Sequence, residues 1–487
     1  MPEDDRPGNP IPQLSRSRHI RAAATSVTAF VGACTQGPVG RPVRVATAAD
    51  YHDTFGPSLD AARPLGHAVD LFFANGGDNA IIVRAPGASA EELVPPDGTE
   101  HAEALDGSGV TVLVIPGLTT GHTAQVRRAL RRCASYSAVL LLDPPAGDWR
   151  ASTEQDLTSI PEHRDRAAVY HPWVLVGGRA VPPTGAVAGV IARTDAARGV
   201  WKTPAGSDAV LHGIEGLATP ADHQLAESLT LAGVNPLRES PGRGPVVWGA
   251  RVLSAAQAGG AAQRYLPVRR LADHVRRSIS TDLGWVVFEQ DEPDLWQRVR
   301  VMTEEFLMAL FEQGALVGSR PRDAFFVQVG LGQTMTAEDV AAGLLRLEVG
   351  ISPLRPAEFE VLRIVVPTAS ARDAASLLIE RADGREDGEQ WAESHERLPG
   401  GAGISLILES TTRPGVGPRL HQHPYPETFV IRRGSAVFTV GAATVPGRAG
   451  QILVVPAETA HTFVTGPDGY EGLHLHESDT FETEWLE

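Results

Sequence analysis

The sequence predicts a multidomain protein in which an α/β and α+β region is followed by an all-β barrel. Three observations carry this expectation. The 487 residues exceed what one hydrophobic core organises, so roughly two to four domains are expected. Between Thr25 and Pro144, apolar runs alternate with stretches of helical spacing, the pattern of a largely parallel sheet with crossover helices. After about Gly400, short strands are separated by Arg413-Pro-Gly-Val-Gly, Val445-Pro-Gly-Arg-Ala-Gly and Gly466-Pro-Asp-Gly, the rhythm of a sandwich or barrel.

Residues 1–20 hold Pro2, Pro7, Pro10 and Pro12 among polar side chains and read as a flexible arm, because proline lacks the amide that helices and central strands use. Thr25-Ser-Val-Thr-Ala-Phe-Val-Gly and Ala80-Ile-Ile-Val-Arg-Ala read as strands. The helical spacing from Ala48 to Phe73 lies between them and completes a β-α-β unit. Val110-Thr-Val-Leu-Val-Ile-Pro and Ala138-Val-Leu-Leu-Leu-Asp-Pro are further buried strands, separated by an amphipathic helix over Thr123 to Cys133. Beyond Ala209, strands are expected at Val246-Val-Trp-Gly-Ala-Arg, Trp285-Val-Val-Phe-Glu, Ala324 to Val329, Leu345 to Val349 and Phe359 to Val366, with a long helix over Leu295 to Gln313. Ser370 to Leu398 starts helical, then becomes acidic and glycine-interrupted, the composition of a connector. The expected division is an arm over 1–20, an α+β core from 21–95 and 209–368, an inserted α/β domain over 96–208, an acidic linker over 369–399 and a barrel over 400–487. Trp201, Trp248 and Trp285 are expected in the core. Arg193, Asp195 and Arg198 read as solvated charges in preference to an interdomain ion-pair cluster.

Composition narrows the function. A net charge of −16 with no basic run argues against nucleic-acid binding. No stretch reaches the length of a membrane span, so stable membrane insertion is not expected. The acidic start Met-Pro-Glu-Asp-Asp is unlike a secretory signal and points to the cytoplasm. Cys34 and Cys133 are the only cysteines and read as reduced thiols. Residues 25–366 contain neither a phosphate-binding loop nor a nucleophile elbow, so no catalytic residue and no organic-cofactor site is assigned.

The chemistry-bearing pattern is near the end of the chain. In His421-Gln-His423-Pro-Tyr-Pro-Glu427, two imidazoles two residues apart leave the same face of a strand, and Glu427 follows within reach. Gly450-Gln-Ile-Leu-Val-Val-Pro456-Ala-Glu-Thr-Ala-His461 can bring a third imidazole from a distant strand. Three histidines and one carboxylate suit one borderline divalent ion (Mn, Fe, Ni or Zn) and leave positions open for water or a small-molecule ligand. The same residues could also line a barrel that holds no metal. These stretches resemble the paired motifs of the cupin superfamily, including Gly434 after six intervening residues from the glutamate; the departure is Glu458, where the second motif often has glycine. The resemblance implies a cupin β-barrel over the last 90 or so residues, with His421, His423, Glu427 and His461 as metal ligands. His474 and His476 alternate in the same way but have no carboxylate at ligand spacing, and read as strand side chains near the pocket.

The first three-quarters resemble the contractile tail sheath protein of phages and phage-derived injection systems. The matching stretches, in order, are Thr25-Ser-Val-Thr-Ala-Phe-Val-Gly with Gly37-Pro-Val, Phe72-Phe-Ala-Asn-Gly-Gly, Ala192-Arg-Thr-Asp-Ala-Ala-Arg-Gly-Val-Trp-Lys-Thr-Pro-Ala-Gly206, Gly233-Val-Asn-Pro-Leu-Arg, Val247-Trp-Gly-Ala-Arg-Val-Leu, Tyr265-Leu-Pro-Val-Arg-Arg and Pro356-Ala-Glu-Phe-Glu-Val-Leu-Arg-Ile. The resemblance implies a structural subunit that stacks around an inner tube, with partners among copies of itself or another sheath subunit, tube proteins and baseplate proteins, in a phage-tail-like particle or virion tail. The family's arm often begins Pro-Gly-Val-Tyr, where this chain has Pro7-Gly-Asn-Pro-Ile-Pro. Two other readings stay open: a cupin oxygenase or isomerase scaffolded on a sheath-like region, and a non-contractile variant that caps or modifies a sheath made from another copy.

Overall fold

The strands expected between Thr25 and Pro144 form, and they are apolar on both faces because both faces are covered. The computed structural model describes residues 19–58, 63–99, 101–147, 160, 162–219, 222–253, 264–369, 390–398 and 403–486. Most of the expected arm and of the linker lies outside them. Two units are present: one runs to Asp282 and takes in Gln297–Val329 and Leu347–Ile364, and the other comprises Leu283–Trp296, Gly330–Arg346 and the chain from Val365 onward.

In the first unit, β1 (Thr28–Gly32), β2 (Pro42–Val45), β3 (Ala80–Arg84), β4 (Val112–Thr119), β5 (Val139–Asp143), β6 (Ala167–His171), β10 (Val234–Ser240) and β11 (Gly244–Val247) form one sheet in the order β11-β10-β6-β5-β4-β1-β3-β2. A small sheet of β7 (Val174–Val176), β8 (Arg179–Val181) and β9 (Gly216–Leu217) stands apart from it. The six central strands run parallel, and β2 and β11 are antiparallel edges. Alternation assigns the faces: Phe30, Ile82, Val114 and Leu141 belong to one buried cluster, and Ala29, Ile81, Leu113 and Leu140 to the other. Strands β4, β5 and β6 sit in the middle of the same sheet as β1–β3 and β10. Parallel pairing joins strands far apart in sequence, which local patterns do not encode.

Helices Leu65–Ala74 and Thr184–Arg198 cover one face. The spacing from Ala48 to Phe73 resolves into two helices, Ala48–Phe55 and Leu65–Ala74. The second meets Thr184–Arg198 at Gly185 and Gly189, where an added Cβ would lie 2.3 and 2.4 Å from the carbonyl oxygens of Ala68 and Phe72. Buried polar joints fix the remaining contacts. Asn75 donates to the carbonyls of Leu71 (2.8 Å) and His212 (2.9 Å), and Arg193 donates to those of Asn75 (3.0 Å) and Val210 (2.8 Å). Asp195 receives both guanidinium nitrogens of Arg270 at 2.9 and 2.5 Å, and the same guanidinium donates to the Thr25 carbonyl at 2.7 Å. The solvated reading thus fails for Arg193 and Asp195 and holds for Arg198, whose contact with Asp208 is an exposed 3.8 Å. Residues three apart are neighbours on a helix surface, so spacing alone does not separate buried Asp195 from exposed Arg198; the pairing with Arg270 does.

Two other expectations change. Trp285-Val-Val-Phe-Glu is a 3₁₀ turn, Gly284–Phe288, since an unbroken apolar run of this length does not distinguish strand from helix. Trp248 is 48% exposed, with the Arg238 guanidinium 5.1 Å over its ring, and Trp201 and Trp285 are half-buried; the edge position of β11 leaves the residue that follows it uncovered. The helix expected at Leu295 to Gln313 spans Pro293–Glu312. Strands β12 (Phe325–Val329), β13 (Leu344–Ile351) and β14 (Glu360–Pro367) form a second sheet in the order β12-β13-β14.

The barrel uses β15 (Gln390–His395), β16 (Ser405–Thr411), β17 (His421–Gln422), β18 (Glu427–Val440), β19 (Ala443–Arg448), β20 (Ile452–Val455), β21 (His461–His476) and β22 (Glu484–Trp485), all antiparallel. β15 lies within the stretch read as linker and pairs with β16 along its length, so the barrel's strands begin before residue 400. Its charged residues Glu393 and His395 hid the strand pattern. Phe429, Ile431, Phe438, Val455, Phe463 and Tyr470 fill the interior. Gly434 has φ 67°, and a Cβ there would lie 2.0 Å from the Gly469 carbonyl oxygen, which explains the motif glycine. Glu458, at the position where the motif often has glycine, takes φ 56° and donates its amide to the His423 carbonyl at 2.8 Å.

Two outcomes follow from these joints. Asp195→Ala strands a buried guanidinium and is expected to destabilise the first unit by about 3–5 kcal/mol; a denaturation midpoint equal to that of the wild type would refute this. Glu458→Gly relieves a left-handed L residue while keeping its amide, and is expected to raise barrel stability by about 1 kcal/mol in thermal melts. A lowered midpoint would show that the Glu458 side chain matters more than its backbone.

Candidate metal centre

Strand alternation puts His421 and His423 on one face, and the in-register pair His421↔His461 places the third imidazole across from them. Glu427 begins β18, whose far end, Val440, is the residue paired with His461. Only curling of the long β18–β21 ribbon brings the two ends together. The His461 Nε2 lies 2.7 Å from Glu427 Oε2, and the His423 Nε2 lies 3.2 Å from the same oxygen. One ligand atom from each of His421, His423, Glu427 and His461 falls within 4.8 Å of all the others, and all four residues are buried.

Backbone carbonyls set the imidazole tautomers. Nδ1 of His421 lies 2.7 Å from the Arg419 carbonyl, Nδ1 of His423 lies 2.8 Å from that of Glu482, and Nδ1 of His461 lies 2.8 Å from that of Thr459. A carbonyl only accepts, so each Nδ1 carries a proton and each Nε2 presents a lone pair to the centre. Nε2 of His423 is buried, with Glu427 Oε2 3.2 Å away but no well-formed hydrogen bond among the described residues, so it is open to an ion. Three imidazole nitrogens and one carboxylate oxygen converge, and the cluster could hold a divalent metal ion.

The same contacts shape the electrostatics of the cluster. Burial alone would raise the Glu427 carboxyl, but contacts from His423, His461 and His476 outweigh it and hold the group well below the usual carboxylate range. Burial pushes His421 below its ordinary value against the opposing effect of the Arg419 carbonyl. His423 goes the other way: burial lowers it, but Glu427 and the Glu482 carbonyl raise it further. His474, deeper in the barrel, is pushed down to about 4 by burial.

Sequence reasoning missed the segment that closes the site. Glu482 donates its amide to the Tyr425 hydroxyl at 2.6 Å while its carbonyl holds His423, and Trp485 on β22 lies 5.2 Å from the His421 ring, with the Arg419 guanidinium 4.7 Å above the indole. β22 is too short to show a strand period, and its pairing with β17 is set by tertiary contact.

The family model described as phage tail sheath protein central domain matches residues 93–253, and the model described as cupin domain matches residues 408–479. No curated protein matches the chain. Among solved structures, the chain is similar to the anti-feeding prophage helical sheath in the contracted state, at 31% identity over 73% of this chain and 98% of that one, with a TM-score of 0.60. The sheath complex of the extracellular contractile injection system PVC, also contracted, gives 30% identity over 74% and 98%, with a TM-score of 0.60. A chain of the anti-feeding prophage baseplate gives 30% identity over 74% and 96%, with a TM-score of 0.56. The protein belongs to the sheath protein family of contractile tails and contractile injection systems, and carries a cupin domain after its sheath region.

Proposed function

We propose that this chain joins a phage-tail-like contractile particle as a sheath subunit, in contact with copies of itself or another sheath subunit and with tube and baseplate proteins, and that its cupin domain holds one divalent ion through His421, His423, Glu427 and His461. The observation that carries the assembly reading is the extent of the likeness, which takes in 96–98% of the sheath and baseplate chains at 30–31% identity. That extent favours a structural subunit over a cupin enzyme merely scaffolded on a sheath-like region.

The fold supplies the means of association. Head-to-tail contacts that do not close build helical arrays, and a free sheet edge accepts a strand through its backbone amides. Strand β14 ends its sheet order, and its Val361 and Val365 side chains are 40% and 48% exposed. In the cupin domain, the bound ion would supply a Lewis acid. The chain's own residues present three lone pairs, keep Glu427 ionised and shut out water with the 482–485 segment.

Successive amides of a strand point to opposite edges, so of Val361→Pro and Leu362→Pro one is expected to remove the free-edge donor and the other a bond to β13. Co-expressed with tube and baseplate proteins, one of the two variants should fold yet drop out of tubular particles in electron micrographs. Incorporation of both at the wild-type level would sink the edge-pairing role, and a wild-type chain absent from every particle would sink the sheath reading. For the cupin, elemental analysis should find about one divalent ion per wild-type chain and clearly less after His423→Ala. Unchanged occupancy in that variant would remove the site.

A further inference from the structure

Glu427 is contacted on both of its oxygens, and the two sides differ. Oε2 faces His461 and His423, while Oε1 lies 3.2 Å from Nε2 of His476 and 3.7 Å from Nδ1 of His474. His476 is the in-register cross-strand neighbour of Glu427 on β21, and the pair Phe429↔His474 comes next. Both histidines are buried.

Their proton placement can be read from their partners. Nδ1 of His476 has no hydrogen-bond partner among the described residues, and neither has Oγ of Ser405, the residue paired with it on β16. The carboxylate is therefore the polar group this ring serves, and since a carboxylate only accepts, the proton is on Nε2. The Tyr470 hydroxyl lies 3.1 Å from Nε2 of His474, so it can donate there and leave the Nδ1 proton facing Oε1. Neither residue belongs to the cluster of four converging ligand atoms.

We propose that His476 is a positioning residue: its Nε2–H engages Oε1 of Glu427 and so commits Oε2 to the ion as a single-oxygen ligand, with His474 and Tyr470 as a supporting relay. The inference rests on the metal reading of the cupin domain and adds the group that orients its carboxylate. Outer partners of this kind typically change metal affinity roughly 10- to 100-fold when removed.

The test uses the full-length chain, stripped of metal and titrated with Co²⁺ by calorimetry and visible absorption. His476→Ala and His476→Leu, which lack a donor, are expected to bind Co²⁺ roughly 10- to 100-fold more weakly and to shift its ligand-field bands, while the metal-free chain still unfolds cooperatively. His476→Gln, whose amide can donate to the same oxygen, should recover the wild-type bands and most of the affinity. Donor-free variants with wild-type affinity and bands would overturn the positioning role alone, as would a glutamine variant no better than leucine. A wild-type chain that takes up no Co²⁺ would overturn the metal reading and this inference with it.

Discussion

A carboxylate sealed from water must find its partners inside the protein, and in the sheath unit this constraint falls on Asp195. Its side chain and that of Arg270 are 2% and 3% exposed, and the two meet in a bidentate pair. The desolvation cost of such a pair is recovered only when the geometry is good and the remaining donors are used. Here a further guanidinium N–H goes to the carbonyl of Thr25, so three segments distant in sequence are held at one point. Asn235 acts similarly between two others, donating to the carbonyls of Val169 and Arg251 and accepting the Arg251 amide.

These joints link the sheath-like stretches of the sequence to one another. Phe72 to Gly77 meets Ala192 to Gly206 through Arg193; the latter meets Tyr265 to Arg270 through Asp195; Gly233 to Arg238 meets Val247 to Leu253 through Asn235. An apolar core tolerates exchange of one hydrophobic residue for another of similar volume. A buried hydrogen-bonded charge does not, because either partner alone is left unpaired.

The same rule governs the cupin domain with the opposite purpose. Glu427 is also buried, but on its Oε2 side the partners are His423 and His461, whose Nδ1 protons are already given to backbone carbonyls. The sheath-unit pair is closed, the Arg270 guanidinium being held by Asp195 and the Thr25 carbonyl. The cupin cluster has lone pairs directed at a common point, which makes it a site where the other is a fastener. A subunit with both combines a framework specified by internal pairing with a centre able to engage something from outside.

By itself the sequence determined the parts with a local period. The alternation of β1, β3, β4 and β5, the long helix at Pro293–Glu312, and the His-x-His spacing that puts His421 and His423 on one face all follow from backbone geometry over a few residues. The four converging residues were legible for that reason, with Glu427 and His461 supplied by motif likeness. What only the tertiary structure decided is whatever depends on pairing across distance. One sheet draws its strands from Thr28 through Val247; β15 belongs to the barrel despite its charges; Asp195 is buried while Arg198, three residues on, is exposed. In the cupin, the register Glu427↔His476 turned two histidines without a carboxylate at local spacing into neighbours of the one that matters. Register carries no signal in the chain itself, because it is fixed by how the ribbon curls and by what each face must bury.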